Sequence, residues 1–142
     1  MPRSPTIVLN PTDDMKIMQE EIFGPVLPIK TYEDVSETVD YINSKDRPLG
    51  LYYFGEDSKE KDYVLNNTTS GGVTVNDVIS HIQMEALPFG GVGASGMGSY
   101  HGHDGFKEFS HAKAVYKQSR LNLMKLAGLV PPYKKKEDKL SA

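Results

Sequence analysis

The amino-acid sequence predicts an α/β fold in which crossover helices cover an open parallel sheet. Short apolar or β-branched runs alternate along the first half of the chain with segments of helical periodicity. Glycine and proline separate these segments where turns are needed. Because the order strand, helix, strand favours right-handed parallel crossovers, we expect parallel pairing of the strands.

Four runs have β character. The first is the β-branched run TIVL, and the second contains Pro25 and Pro28, which predict a turn leading into a short strand rather than a helix. The last follows a Ser-Gly-Gly turn. The four runs are residues 6–9, 21–30, 49–54 and 73–75.

Two segments are predicted to be helical. Residues 32–44 carry apolar side chains at i, i+4 and i+7 from Val35, with acids in the first turns, where the helix dipole favours them. A second helix is expected to begin after Asp57, since Glu60 follows three positions later as in a capping box, and to run to about Asn66.

The remaining chain has weaker patterns. Residues 89–105 contain seven of the thirteen glycines and predict an irregular loop region. Residues 114–118 are compatible with one more strand, and residues 120–130 with an apolar helix ended by two prolines. The polar segment 133–142 has little to bury and is expected to be mobile.

Composition excludes several classes of protein. The 142 residues include 16 Lys+Arg and 19 Asp+Glu, a net charge of −3, which gives no electrostatic basis for a nucleic-acid partner. No apolar run approaches the roughly 18 residues of a membrane span, and the first ten residues lack a signal-peptide core, so we expect a cytoplasmic protein with no membrane partner. The absence of cysteine excludes disulfides, thiolate metal sites and a cysteine nucleophile on these residues.

A literal G-x-G-x-x-G occurs at residues 91–96. A dinucleotide fingerprint needs a strand before it, a helix after it and an acid about 20 residues on. Here Pro88 precedes the motif, more glycines follow it and Glu108 comes too early. A tight structural loop is therefore favoured over phosphate binding.

The pair His101 and His103 suggests metal ligation, but the surrounding residues do not provide a workable ligand set, so no metal site is expected. The acids Glu20 and Glu21 adjoin Phe23 and a Gly-Pro turn. An acid at the mouth of a strand in an α/β sheet can accept hydrogen bonds from ribose hydroxyls, although a solvated turn is the alternative.

Two longer motifs resemble those of a known family. Residues 19–26 (QEEIFGPV) resemble the EEIFGP signature of the aldehyde dehydrogenase superfamily, and residues 88–98 (PFGGVGASGMG) resemble its PFGGxxxSGxG loop. Residues 70–77 and 100–111 are similar to the class 3 branch, which includes fatty, aromatic and coniferyl-type aldehyde dehydrogenases. The resemblance extends over about residues 5–118 and implies the C-terminal portion of that catalytic domain.

The resemblance implies oxidation of an aldehyde to a carboxylic acid with NAD or NADP as hydride acceptor, through a cysteine thiolate and a water activated by glutamate. In that family both catalytic groups lie upstream of the matched stretch. The resemblance therefore implies that this chain has no catalytic residue, no activity in isolation, and weak or no cofactor binding. The alternative is an interaction module that complements a separately encoded N-terminal half or another subunit.

The resemblance also assigns site residues. Glu21 would hold the nicotinamide ribose hydroxyls and Phe23 would pack near the nicotinamide ring. The aldehyde channel would be lined by Ile79, Ile82 and Phe89, with His101 close to it.

The implied organisation has three segments: the catalytic-domain portion at residues 1–112, a bridging strand at 113–120, and a C-terminal helix and polar tail at 121–142. In the family this strand extends the sheet of another subunit, so a homo-oligomer is expected. Lys113 and Lys117 would guard the exposed face of the strand.

Overall fold

A computed structural model describes residues 4–131 as two compact units, of which the first ends at Ser110 and the second begins at His111. No helix within this described range is long and apolar enough to span a membrane. The elements are β1 (Thr6–Leu9), α1 (Lys16–Gln19), β2 (Val26–Ile29), α2 (Val35–Asn43), β3 (Gly50–Tyr53), α3 (Ser58–Asn67), β4 (Gly72–Val75), α4 (Ser80–Gln83), a 3₁₀ turn (Gly93–Ser95), α5 (Gly102–Glu108) and α6 (Leu123–Leu126).

The four predicted strands are confirmed, and all of their pairing is parallel. β1 pairs with β2 from Thr6 opposite Val26, and β3 pairs with β4 from Gly50 opposite Gly72. Within residues 4–131 the strands form two separate two-stranded sheets instead of one continuous sheet. The predicted parallel α/β arrangement is thus present with fewer strands in each sheet.

The core lies between β3 and the two longer helices. Leu51 and Tyr53 of β3 are buried against Val39 of α2 and Val64 of α3. The predicted apolar stripe of α2 packs here, since Val35 and Ile42 border the same cluster. Gly50 and Tyr52 alternate with these residues along β3, so they lie on the opposite face of the sheet.

Side-chain caps define where the two longer helices begin. The Asp34 carboxylate accepts a hydrogen bond from the Ser36 amide at 2.8 Å and caps α2, which begins at Val35, three residues after the start of the predicted segment. The Asp57 carboxylate accepts from the amides of Lys59 and Glu60 at 2.7 and 3.1 Å, as its capping pattern predicted.

A tyrosine connects β3 to α3. The Tyr53 hydroxyl donates to the Glu60 carboxylate at 2.9 Å. Burial and this carboxylate raise the pKa of Tyr53 to about 12. The phenol therefore stays neutral and keeps its proton for this hydrogen bond throughout the physiological pH range.

Three short helices are absent from the sequence prediction, namely α1, α4 and α5. The last of these begins within the segment predicted as irregular loop, at residues 102–108. Helices of four to seven residues carry too few positions to show a helical period.

The second unit differs from its prediction. No strand is assigned at residues 113–120, where the bridging strand was expected, because a single strand needs a partner to pair with and the described residues supply none. The bridging role of this segment therefore stays a prediction.

The expected helix at 120–130 is reduced to α6, which ends at Leu126 and is followed by a Schellman motif with Gly128 in the left-handed region (φ 72°) and the Leu129 amide bonded to the Met124 carbonyl at 2.9 Å. The polar segment 133–142 lies outside the described residues.

One carboxylate links the first sheet to α2. Asp13 accepts hydrogen bonds from Lys30 at 2.7 Å, from the Tyr41 hydroxyl at 2.9 Å and from Lys45 at 3.3 Å. Both ammonium groups also lie over the Tyr41 ring, at 4.5 and 5.1 Å from its centroid. The hydrogen bonds from Lys30 and Tyr41 lower the pKa of Asp13 from 3.8 to about 2.

We predict that Asp13→Asn lowers the free energy of unfolding at neutral pH. Because the folded pKa of Asp13 is depressed, its contribution is present above about pH 4 and is lost as the pH falls towards 2. The difference between variant and wild type, measured by urea unfolding, should shrink over that window. Asp14→Asn is the matched control and should leave stability unchanged. A difference that is constant from pH 7 to pH 2 would contradict the assignment.

Candidate functional site

A fixed turn leads from β4 into α4. Asn76, in the left-handed region at φ 56°, exchanges two side-chain hydrogen bonds with the backbone of Gly55, at 2.9 and 3.1 Å. The Asp77 carboxylate accepts from the Val78 amide at 2.8 Å and from the Ser80 hydroxyl. These bonds determine where α4 begins and therefore where its side chains lie.

Two of the predicted channel residues belong to this segment. Ile79 is exposed and left-handed, with φ 67° and ψ −25°, and its carbonyl accepts from the Ile82 amide at 2.8 Å. A β-branched residue in this region is strained, and such strain persists only where the surrounding structure fixes it. Ile82 is half-buried one helical turn later.

The other two predicted channel residues contact each other. Phe89 and Tyr100 form an antiparallel bridge with two backbone hydrogen bonds of 2.9 Å. This bridge places the Phe89 ring on the His101 imidazole, with centroids 6.1 Å apart and planes inclined by 26°. His101 also has a positive φ of 90°, and its Nδ1 is 3.2 Å from the Leu87 carbonyl oxygen.

His81 lies between the α4 segment and Phe89. It was not predicted as a site residue. Its side chain is 6% exposed, and Nδ1 is 2.6 Å from the Thr74 hydroxyl on β4. The Tyr52 and Phe89 rings lie 6.0 and 6.1 Å from the imidazole. Its Nε2 is buried and has no hydrogen-bond partner among residues 4–131.

Gly72 creates the space for His81, and Gly50 lies opposite it. A Cβ on Gly72 would lie 2.6 Å from Cδ2 and 2.9 Å from Nε2 of the imidazole. Gly50 is directly opposite Gly72 in the register, and a Cβ there would be 3.8 Å from Cε1. Glycines facing each other on neighbouring strands leave room for a bulky group over the sheet, but the pairing of Gly50 with Gly72 comes from the strand register and could not be read from the sequence.

The glycine-rich motif is a close-packed loop. Residues 93–95 form a 3₁₀ turn rather than the start of an α-helix, and the preceding residues are not a strand. A Cβ on Gly90 would overlap the Gly98 carbonyl oxygen, and one on Gly91 would overlap the Ser95 carbonyl oxygen. This geometry agrees with the tight-loop interpretation of the motif.

Glu21 and Phe23 lie elsewhere in the first unit. Both are exposed, and Phe23 is 93% exposed. They precede β2 and therefore lie at its amino end, whereas α/β sheets usually bind ligands at the carboxyl ends of their strands. The sheet-edge argument for Glu21 is thus wrong on this structure, and its predicted role depends on the motif resemblance alone.

Comparison with known proteins identifies the family. Residues 2–115 match the family model described as "Aldehyde dehydrogenase family". The chain belongs to the aldehyde dehydrogenase family. The predicted family and the predicted α/β catalytic-domain fold are therefore confirmed.

Relatives of this aldehyde dehydrogenase chain are longer than the chain itself. It is 65% identical to a probable coniferyl aldehyde dehydrogenase of Caulobacter vibrioides, over 91% of this chain and 27% of the relative. It is 56% identical to a coniferyl aldehyde dehydrogenase of a Pseudomonas species, over 90% of this chain and 27% of that relative. The chain thus spans about a quarter of the length of the curated relatives that it matches.

Solved aldehyde dehydrogenases share the fold. The substrate-bound Staphylococcus aureus AldH superposes with a TM-score of 0.75 and 47% identity, over 84% of this chain and 26% of that chain. A betaine aldehyde dehydrogenase from Staphylococcus aureus in complex with NAD+ superposes with a TM-score of 0.66 and 32% identity, over 74% of this chain and 21% of that chain.

We predict that Gly90→Ala disrupts the Phe89–Tyr100 bridge. The added methyl group overlaps the Gly98 carbonyl oxygen, which belongs to the backbone and cannot rotate away. The expected loss is about 1–3 kcal/mol in the free energy of unfolding, as for other overpacked sites, with faster amide exchange at Phe89 and Tyr100. Gly24→Ala, where nothing lies within 4 Å, is the control and should be nearly neutral. Equal effects of the two substitutions would contradict the close-packed loop.

Proposed function

We propose that this chain is the C-terminal portion of an NAD(P)-dependent aldehyde dehydrogenase that oxidises aromatic aldehydes of the coniferyl type to carboxylic acids. The observation that carries the proposal is the convergence of the α4 segment with Phe89 and His101. Family membership and the names of the two coniferyl aldehyde dehydrogenase relatives support the substrate class.

The side chains around Phe89 fit this substrate class, since Tyr100 and Ile79 are exposed and Phe89, His101 and Ile82 are half-buried. Phe89, Tyr100 and His101 present three rings within 6.1 Å of one another, a surface against which an aromatic aldehyde can stack. Ile79 and Ile82 supply apolar area beside it. We assign these four predicted channel residues, Ile79, Ile82, Phe89 and His101, to orienting the ring of the aldehyde so that its carbonyl group points towards the reacting thiolate.

Two further residues fit the edge of a cofactor site. The Glu21 carboxylate is exposed and accepts no hydrogen bond within residues 4–131, so it is available to ribose hydroxyls. The Phe23 ring is 93% exposed and available to pack against a nicotinamide ring. When bound, NAD(P)+ supplies the hydride acceptor of the reaction.

We propose that the 142 residues alone do not catalyse this reaction. The covalent route needs a thiolate to attack the aldehyde, and the sequence contains no cysteine. Residues that orient substrate and cofactor cannot form the missing covalent bond.

A second candidate function is complementation of a separately supplied N-terminal portion. Large apolar side chains on the glycine loop, on α5 and just beyond α5 are exposed, notably Met97, Phe106 and Phe109. An apolar surface of this kind favours burial against another polypeptide. A second aldehyde dehydrogenase subunit or an N-terminal half fits this surface.

One experiment tests both candidates. The pure chain, incubated with coniferyl aldehyde and NAD+ or NADP+, should form no reduced cofactor. The chain mixed with the N-terminal portion of the Caulobacter vibrioides relative should form it, whereas an N-terminal portion with its nucleophilic cysteine changed to serine should not. Activity of the pure chain would refute the proposal that the 142 residues alone are inactive, and a mixture with neither activity nor co-elution would refute the proposed complementation.

A further inference from the structure

We propose that His81 is a positioning residue that fixes the separation between the α4 side of the aldehyde channel and Phe89. The effect of His81 on aldehyde binding rests on the proposed function, whereas its effect on the position of α4 does not. His81 does not itself line the channel, since its side chain is buried.

The first step is the attachment of α4 to the sheet. α4 contacts β4, and the bond between His81 Nδ1 and the Thr74 hydroxyl, at 2.6 Å, joins them directly. The imidazole lies on the bare backbone of Gly72, and Gly50 extends this surface on β3. The ring therefore has no room to move towards the sheet, and the hydrogen bond prevents it from moving away.

The second step is the contact with Phe89. The imidazole and the Phe89 ring are 6.1 Å apart with planes inclined by 55°, and Phe89 stacks in turn on His101. His81 is consequently the spacer between β4 and the aromatic pair. A change in its position would move Ile79 and Ile82 relative to Phe89, because all three are attached to the same ring by the chain or by packing.

The third step is the strained backbone of Ile79. A left-handed β-branched residue relaxes unless both sides of it are held. The Asp77 carboxylate holds the preceding side through the Val78 amide, and His81 holds the following side through Thr74. The exposed Ile79 side chain thus keeps its direction through a bond made two residues later in the chain.

The unpartnered Nε2 separates this role from simple packing. A buried nitrogen without a hydrogen-bond partner lowers stability, and an apolar side chain of similar volume would fill the same space without that loss. Buried polar groups that lack a hydrogen-bond partner are concentrated at functional sites. The useful feature here is the hydrogen bond between the ring and the Thr74 hydroxyl, which a leucine or phenylalanine could not make.

The test removes the hydroxyl that holds the ring and leaves His81 in place. Thr74→Val keeps the shape of the side chain and loses the hydrogen bond, whereas Thr74→Ser retains a hydroxyl. Thr68→Val is the matched control, because the Thr68 hydroxyl is also half-buried and makes one hydrogen bond, to the Val64 carbonyl at 2.8 Å, at the end of α3. Each variant is measured by amide hydrogen exchange in the full chain and by steady-state kinetics in the reconstituted enzyme.

For Thr74→Val we expect exchange at residues 79–83 to rise about fivefold, the effect of losing one ordinary hydrogen bond, with no change in α2 or α3. The KM for coniferyl aldehyde should rise about fivefold with kcat within about twofold, and the KM for NAD+ should not change. Thr74→Ser should restore wild-type behaviour, and Thr68→Val should resemble wild type at residues 79–83 and in both KM values.

Unchanged exchange at residues 79–83 would overturn the proposal. Exchange that rises throughout the first unit, or a kcat that falls while KM is constant, would show a merely structural role and would also overturn it. If the reconstituted mixture does not oxidise aldehydes at all, the proposed function fails, while the exchange result still decides whether His81 positions α4.

Discussion

The contact between the His81 imidazole and the bare backbone of Gly72 is the constraint on which the candidate site depends. A side chain at Gly72 would occupy the space of the ring. The preceding glycine, Gly71, has a similar role, because a Cβ there would overlap the Gly90 carbonyl oxygen. Both glycines let the segment that follows β4 lie directly on the sheet or beside it. The site thus depends on glycine at positions 71 and 72, where a side chain would collide with the segments that pack there.

The two faces of the sheet formed by β3 and β4 contact different parts of the chain. Leu51 and Tyr53 face α2 and α3 and form the small apolar core. The face that carries Gly72 and Thr74 holds His81 and, through it, the aromatic pair. The apolar core and the geometry of the channel are therefore set on opposite faces of the same two strands.

Local sequence patterns predict part of this structure correctly. The capped helices and the four strands follow from periodicity, Asp57 and turn residues, which act within a few positions. The α4 helix and the burial of His81 could not be predicted, because they depend on Gly50 and Gly72 becoming neighbours through parallel pairing of strands that are distant in sequence. Glu21 precedes β2 in the sequence and therefore adjoins the amino end of that strand, which is not the end at which α/β sheets usually bind ligands.

The contact between residues 72 and 81 can be measured by a double-mutant cycle. Gly72→Ala, His81→Ala and the double variant would be compared with wild type by urea unfolding, with Gly24→Ala in place of Gly72→Ala as the control cycle. In the wild-type background Gly72→Ala should lower the free energy of unfolding by about 1–3 kcal/mol, and by less than half as much once His81 is alanine, because the ring it displaces is gone. Additive effects in the cycle of Gly72 with His81 would contradict the account.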